Sequence, residues 1–277
     1  MNFPAKFAER LSLDFALCPS LEGPAKLGFF KLLHQKSRLV GGFSYKMACG
    51  LNKCDLGLER KTGVVLPANE AYAEEAIAAI RFDKVVAVPT DTLYGFACDA
   101  CSTEAVNRIY EIKGRKQTSP LAISVGDVQD ISRFAVIEHL PHGLLDDLLP
   151  GPVTVVLRRG DSSILEKSLN PGLDSIGVRV PGSNFIRSIA RGSGSALALT
   201  SANRSGQPSS VCIKDFQDLW EYCVYVFDGG LLPSGRSGST VVDLTNIGKY
   251  KILRPGSAME ETVAVLKRYS IEEATAT

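Results

Sequence analysis

The stretch VVAVPTDTLYG, residues 85–95, decides how this chain is read. An apolar run typical of a buried strand stops at Pro89, and Thr90, Asp91, Thr92 and Tyr94 follow within five positions. Proline lacks the N–H that a central strand needs and marks the strand's end. The hydroxyls beyond it are then either a hydrogen-bonded turn or ligand groups at the end of a strand.

Working outward, strands and helices alternate. NEAYAEEAIAAIRF at 69–82 predicts a helix capped by Asn69, with Glu70, Glu74 and Glu75 near its positive end. The strand 84–89 comes next, then a loop, then a helix over 103–113 whose stripe is Ala105, Val106, Ile109, Tyr110 and Ile112, closed by Gly114. Further strands are expected at 121–125, 153–159, 175–181, 196–203, 224–228, 239–244 and 250–255, with helices within 140–150, 184–191, 213–222 and 259–269. Alternation of this kind implies an α/β fold, and continuous apolar strands imply a sheet covered on both faces. No repeat or low-complexity linker divides the body, so one domain is expected over 66–270, behind an extension at 1–65 and before a tail at 271–277.

Composition narrows the function classes. In 277 residues with a hydrophobic fraction of 45% and a net charge of +1, nothing drives the whole chain toward nucleic acid or an anionic membrane. No window approaches eighteen uncharged apolar residues, so no membrane association is expected. Seven cysteines are odd in number and thinly spread, which suits a reducing compartment better than a disulfide framework. Cys98 and Cys101 form the only CxxC, and without a second pair they read as small buried thiols rather than a metal or redox site. The three histidines are His34, His139 and His142, so chemistry placed beyond residue 142 must proceed without an imidazole base.

The first fifty residues hold seven of the 31 lysines and arginines but only three of the 30 acids. Such a leader has the composition of an organelle transit peptide, and a plain disordered extension fits equally well. Met47 offers an internal start that omits it. A cytoplasmic protein with a mitochondrial or plastid form is the resulting expectation.

The residues just past each strand form a consistent set: the Thr90–Tyr94 run, Lys113-Gly114-Arg115, Ser119, Ser124, Ser175, Arg179, Ser201-Ala202-Asn203, Ser239-Thr240 and Arg254. Guanidinium and ammonium groups with hydroxyl and amide donors suit phosphate oxygens. The glycine-rich phosphate loops are absent, since neither GxxxxGK[ST] nor a full GxGxxG occurs. Arg179 stands inside the apolar strand IGVRV and requires a partner or a ligand. Taken singly, the other pieces have duller readings as turns, solvated charge and helix caps.

Seven motifs in order carry a resemblance: PTDTLYG (89–95), KGRKQTSPL (113–121), LPGPVT (149–154), GVRVP (177–181), LTSAN (199–203), GSTVVD (238–243) and LRPG (253–256). The ordered set resembles the YrdC/Sua5 family of threonylcarbamoyl-adenylate synthases over about 67–270. The resemblance implies a single YrdC-like domain: a twisted, open, mixed α/β sheet flanked by helices around a large concave cavity. It implies a nucleotidyltransferase that makes threonylcarbamoyl-AMP from L-threonine, bicarbonate and ATP with magnesium, for N6-threonylcarbamoyladenosine at position 37 of tRNA. Its implied threonine contacts are Thr92, Ser124, Ser175, Arg179 and Ser239. Its implied ATP contacts are Arg115, Ser119, Ser201, Ser209 and Arg254.

Lys113, Arg115, Ser201 and Asn203 match the family's KxR and SxN groups associated with activity, and no protein side chain is implied as a metal ligand. The implied partners are small-molecule substrates, a downstream KEOPS/TsaD-like threonylcarbamoyl transferase complex, and tRNA. Two departures stand out. Ser124 occupies a position where relatives often carry histidine, and the additional C-terminal domain of longer Sua5-type members is not expected. The competing reading is a non-catalytic module that binds double-stranded RNA or tRNA in the same basic concavity, which would want stacking aromatics beside the basic motifs.

Overall fold

The opening stretch folds as two strands. β2 (Val86–Pro89) and β3 (Tyr94–Asp99) pair antiparallel, with Pro89 opposite Tyr94 and a four-residue TDTL turn between them. Thr90 closes the turn: its Oγ1 accepts the N–H groups of Thr92 and Leu93, each at 3.1 Å, and donates to the Leu93 carbonyl at 2.7 Å. β3 replaces the loop expected between the first strand and the helix that begins at Thr103. Its physical cause is visible in YGFAC, where the strand formers Tyr94 and Phe96 stand in an unbroken uncharged run that continues directly from the turn.

The computed structural model describes residues 62–114, 120–160, 163–233 and 235–274. The remaining strands are β1 (Val64–Pro67), β4 (Ala122–Ser124), β5 (Val153–Arg158), β6 (Ser175–Arg179), β7 (Leu197–Ser201), β8 (Tyr225–Asp228), β9 (Thr240–Asp243), β10 (Lys249–Arg254) and β11 (Glu272–Glu273). They form one open mixed sheet in the order β1-β8-β2-β3-β7-β4-β6-β5-β9-β10-β11. β1 begins two residues inside the stretch assigned to the leader, and β11 lies in the stretch assigned to a tail. Both are held by parallel ladders, to β8 and to β10. Most of the leader, including Met47, lies outside the described residues.

Among the described residues five α-helices flank the sheet: α1 (Ala73–Arg81), α2 (Thr103–Lys113), α3 (Leu144–Leu148), α4 (Asn184–Ser193) and α5 (Met259–Arg268). α2 has the predicted ends. Ser102 Oγ accepts the Ala105 N–H at 3.3 Å, and Gly114 terminates the helix at φ 55°. Asn69 accepts the Ala71 N–H at 3.0 Å, but a short 3₁₀ turn precedes α1. Ile213–Tyr222, expected as a helix, is 3₁₀ with a break at Phe216. That buried ring packs against Tyr94 and Phe96, with centroids 5.8 and 5.9 Å away. Among the described residues no helix is long and apolar enough to cross a membrane.

Side chains alternate between the faces of the sheet with a period of two. Val86 and Val88 join Ile77 and Ile80 of α1 and Phe185 and Ile189 of α4 in one core. Val85 and Ala87 point the other way, into the larger core that holds Ile109 of α2, Leu144 of α3 and Leu266 of α5. α1 and α4 approach closely because Gly192 has no Cβ; one there would meet Ile77 Cδ1 at 2.2 Å. Cys98 is wholly buried in the larger core and Cys101 is half-buried, and burial raises the pKa of both thiols.

Candidate active site

Farther along the face that α1 and α4 cover, the outward positions of β4, β6, β5 and β9 line a cavity of about 700 Å³ instead of packing under a helix. Register carries the assignment. Ala97, Leu199, Ala122, Gly177 and Val156 form one cross-strand row, and all but Ala97 line the cavity. Ligand groups are expected from the sequence at strand ends, whereas this site lies over the sheet's face. The strand-end rule belongs to sheets of parallel strands with helices on both sides. Here antiparallel pairs interrupt the sheet, and part of one face stays open. Gly177 helps to keep it open, since a Cβ there would lie 3.0 Å from Thr154 Cγ2.

Arg179 defines the inner end. Its Nη2 donates to Asp91 Oδ1 at 2.7 Å and to Thr92 Oγ1 at 3.2 Å, and Asp91 Oδ2 accepts the Gly182 N–H at 2.9 Å. Asp91, to which the sequence assigns no role, is the partner that a charge in a buried strand requires. Burial pulls the Arg179 pKa down, Asp91 pushes it back up, and nearby Arg254 pulls down more weakly. Arg179 Nε and Ser124 Oγ are both buried without a hydrogen-bond partner. Ser124 and Arg179 are register partners on β4 and β6, so these two polar atoms belong to neighbouring positions of one face.

Ser239 and Arg254 build a second wall. Ser239 Oγ shares a 2.7 Å hydrogen bond with Thr154 Oγ1, and Arg254 Nη2 donates to the Ser239 carbonyl at 2.9 Å and its Oγ at 3.2 Å. Gly256 makes this contact possible. A Cβ there would meet the Ser239 carbonyl carbon and the Thr240 nitrogen at 2.3 Å, so only glycine lets the segment just past β10 lie on that backbone. Desolvation lowers the Arg254 pKa. Toward the mouth stand Ser201, Ser209 and Arg236. Arg236 Nη1 donates to the Ser209 carbonyl, and Nη2 donates to Asp215 Oδ1 at 3.2 Å.

Lys113 is buried behind Ser201. Its Nζ donates to the Ser201 carbonyl at 2.7 Å, to Asn203 Oδ1 at 3.3 Å and more distantly to Ser201 Oγ at 3.4 Å. Asn203 Nδ2 in turn donates to the carbonyls of Arg204 and Gln207, each at 2.8 Å. Lys113 and Asn203 therefore fix the loop after β7, and only Ser201 of the three lines the cavity.

Of the expected site residues, Thr92, Ser175, Arg179, Ser201, Ser209, Ser239 and Arg254 line the cavity, and Ser124 lies beside Arg179. Arg115 and Ser119 lie outside the described residues. Thr154 and Arg236 are site residues that the sequence does not single out, and Asp91 belongs to the strand-end set without a role assigned to it. Thr154 was available from the period-two pattern of β5, because Thr154 and Val156 share the cavity face. The lining holds three arginines, hydroxyls and backbone groups, and among the described residues it includes no Asp, Glu or His. Such a surface suits an anionic ligand. Among the described residues no cluster of His, Cys, Asp and Glu could hold a metal ion.

Comparison with known proteins agrees with this geometry. The model of the Sua5, YciO and YrdC family, described as "Telomere recombination", matches residues 78–256. Threonylcarbamoyl-AMP synthase of Bos taurus is 48% identical over 201 residues, 71% of this chain and 72% of that protein. The Homo sapiens protein of the same name is 47% identical over 198 residues, 70% of each chain. Among solved structures, P. abyssi Sua5 complexed with L-threonine aligns with a TM-score of 0.65 and 30% identity, covering 76% of this chain and 61% of that one. This chain thus matches less than two thirds of the P. abyssi protein's length. E. coli YciO shares the fold, with a TM-score of 0.61 at 21% identity over 70% of this chain and 93% of that one. The chain belongs to the Sua5/YciO/YrdC family.

Proposed function

We propose that this protein is a threonylcarbamoyl-AMP synthase, a nucleotidyltransferase acting on L-threonine, bicarbonate and ATP. The observation that carries the reading is the inner end of the cavity. There a guanidinium braced by Asp91 and Thr92 lines the space together with the hydroxyls of Thr92, Thr154, Ser175 and Ser239. A small carboxylate with adjacent polar groups fits such a lining, and partly desolvated donors bind it strongly. The relatives' names and the threonine-bound Sua5 support the same substrate.

In this reading Arg179 takes the threonine carboxylate, with Thr92, Ser124, Ser175 and Ser239 around the rest of the amino acid. Arg254, Ser201 and Ser209 face the nucleotide, joined by Arg115 and Ser119. The threonine amine attacks the bicarbonate carbon and water leaves, giving a carbamate. A carbamate oxygen then attacks the α-phosphorus, the bond to the bridging oxygen breaks, and pyrophosphate departs. Among the described residues the lining offers no carboxylate or imidazole base, and the steps need alignment and charge neutralisation more than a strong protein base, the amine's proton passing to solvent before it attacks. Lys113 and Asn203 act behind the surface by fixing Ser201.

Magnesium would enter on the triphosphate, since among the described residues the lining includes no carboxylate to hold it alone; when bound it would neutralise charge on the leaving pyrophosphate. The adenylate is a reactive mixed anhydride that must pass promptly to an acceptor, and the consumer that the family resemblance implies is a KEOPS/TsaD-like transferase complex acting on tRNA. The basic leader directs an organellar form beside a cytoplasmic one. Incubation with ATP, threonine and ¹³C-bicarbonate, followed by mass spectrometry, tests the activity. The expected product is an adenylate carrying both threonine and the label, and unlabelled AMP alone would refute it.

A further inference from the structure

Arg236 belongs to none of the motifs that carry the family resemblance, yet it lines the cavity. The three lining arginines are not equivalent. Arg179 is neutralised by Asp91 in a pair whose side chains are only 9% and 13% exposed. Arg254 rests on two neutral oxygens of Ser239, its carbonyl and its hydroxyl. Arg236 has an acidic partner, Asp215, but that pair is loose: the contact is 3.2 Å and the arginine side chain is 51% exposed. Exposed pairs of this kind are weak and readily exchanged. Asp215 does not depend on it, because its Oδ2 also accepts the N–H groups of Val211 at 2.8 Å and Cys212 at 3.2 Å.

The anchoring of Arg236 gives it a direction. Nη1 rests on the carbonyl of Ser209, a residue placed on the nucleotide side. The base of the segment that bears it is tied to the PTDTLYG motif. Tyr94 Oη accepts the Gly229 N–H at 2.9 Å and donates to the Gly230 carbonyl at 2.7 Å. A half-exposed guanidinium at the edge of the cavity, with one loose acidic partner, offers a planar donor fork suited to phosphate oxygens.

We propose that Arg236 is a polyphosphate-binding residue of the cavity, exchanging Asp215 for the β- and γ-phosphate oxygens of the nucleotide and releasing them with pyrophosphate. The proposal rests on the synthase reading and adds a residue to it. Arg236 stabilises the departing pyrophosphate from the mouth while Arg254 acts from the wall, and return of Asp215 competes with the product as it leaves.

The test uses the full chain, as wild type, Arg236→Ala and Arg236→Lys. Pyrophosphate release gives KM for ATP and for threonine separately, and calorimetric titration with inorganic pyrophosphate and magnesium gives affinity without turnover. Arg236→Ala should raise the ATP KM and weaken pyrophosphate binding by about tenfold or more, with the threonine KM changed less than about twofold. Arg236→Lys should recover part of both losses, as a single charge without the fork. A parallel rise in both KM values with a lowered melting temperature would overturn the proposal in favour of a structural latch. Unchanged ATP KM and unchanged pyrophosphate affinity, or wild-type protein that does not bind pyrophosphate, would overturn it outright. Arg236-dependent pyrophosphate binding without threonine-dependent turnover would uphold the anion site and sink the synthase reading instead.

Discussion

Arg179 Nη2 lies 2.7 Å from Asp91 Oδ1, and the other oxygen of that carboxylate accepts the backbone N–H of Gly182. Asp91 therefore joins the β2–β3 turn to the segment just past β6 and sets the angle at which the guanidinium enters the cavity. Asp91→Ala should destabilise the protein by about 3 kcal/mol, because it strands a buried charge. It should also raise the threonine KM at least about tenfold. Asp91→Asn keeps an acceptor and should lose less stability. Urea denaturation and pyrophosphate-release kinetics measure the two effects.

The cavity depends on a position without a side chain. At Gly177 a Cβ would lie 3.0 Å from Thr154 Cγ2, and a branched residue would project into the space over β6. Gly177→Val should fold, at a cost of about 1–3 kcal/mol for overpacking. It should abolish threonine-dependent turnover. Far-UV circular dichroism beside the assay separates a blocked cavity from an unfolded chain.

Lys113 tests the layer behind the lining. Its Nζ holds the Ser201 carbonyl and Asn203 Oδ1, so Lys113→Ala loosens the loop that presents Ser201. The expected loss in kcat/KM is at least about tenfold, the cost of one charge-assisted contact. Lys113→Met preserves the apolar stem and should restore stability without restoring activity. Recovery of activity by methionine would show that packing alone matters here.

Much of the fold was legible because the signals are local. Gly114 marks the end of α2, and the apolar runs at 153–159 and 175–181 mark β5 and β6. β3 is not legible in the sequence because its first residues belong to a motif whose polar half reads as a loop, and pairing with β2 and β7 is not encoded within six residues. The site residues were largely legible as types, since cations and hydroxyls recur past successive strands. Their arrangement was not. Whether Arg179 meets Asp91, or Lys113 faces Ser201 instead of the cavity, depends on contacts 87 to 90 positions apart in the chain, which no local pattern reports.

One surface carboxylate offers a pH test away from the cavity. Asp127 accepts from Arg191 and Arg187, and chiefly the Arg191 hydrogen bond lowers its pKa to about 2. A folded value below the unfolded one means that the contribution is complete above the ordinary carboxylate range and is lost as pH falls toward about 2. The pair is largely solvated, so the effect should stay below about 1 kcal/mol. Between about pH 5 and 2 the urea midpoint of the wild type should converge on that of Asp127→Asn. A constant offset would refute the linkage.

The central claim is that one cavity couples threonine, bicarbonate and ATP. The direct measurement is pyrophosphate release by the purified full chain with each substrate omitted in turn. The account predicts release only when ATP, L-threonine and bicarbonate are all present. Equal release with serine or without any amino acid would contradict the substrate assignment, and no release with all three would contradict the enzyme and favour an RNA-binding module.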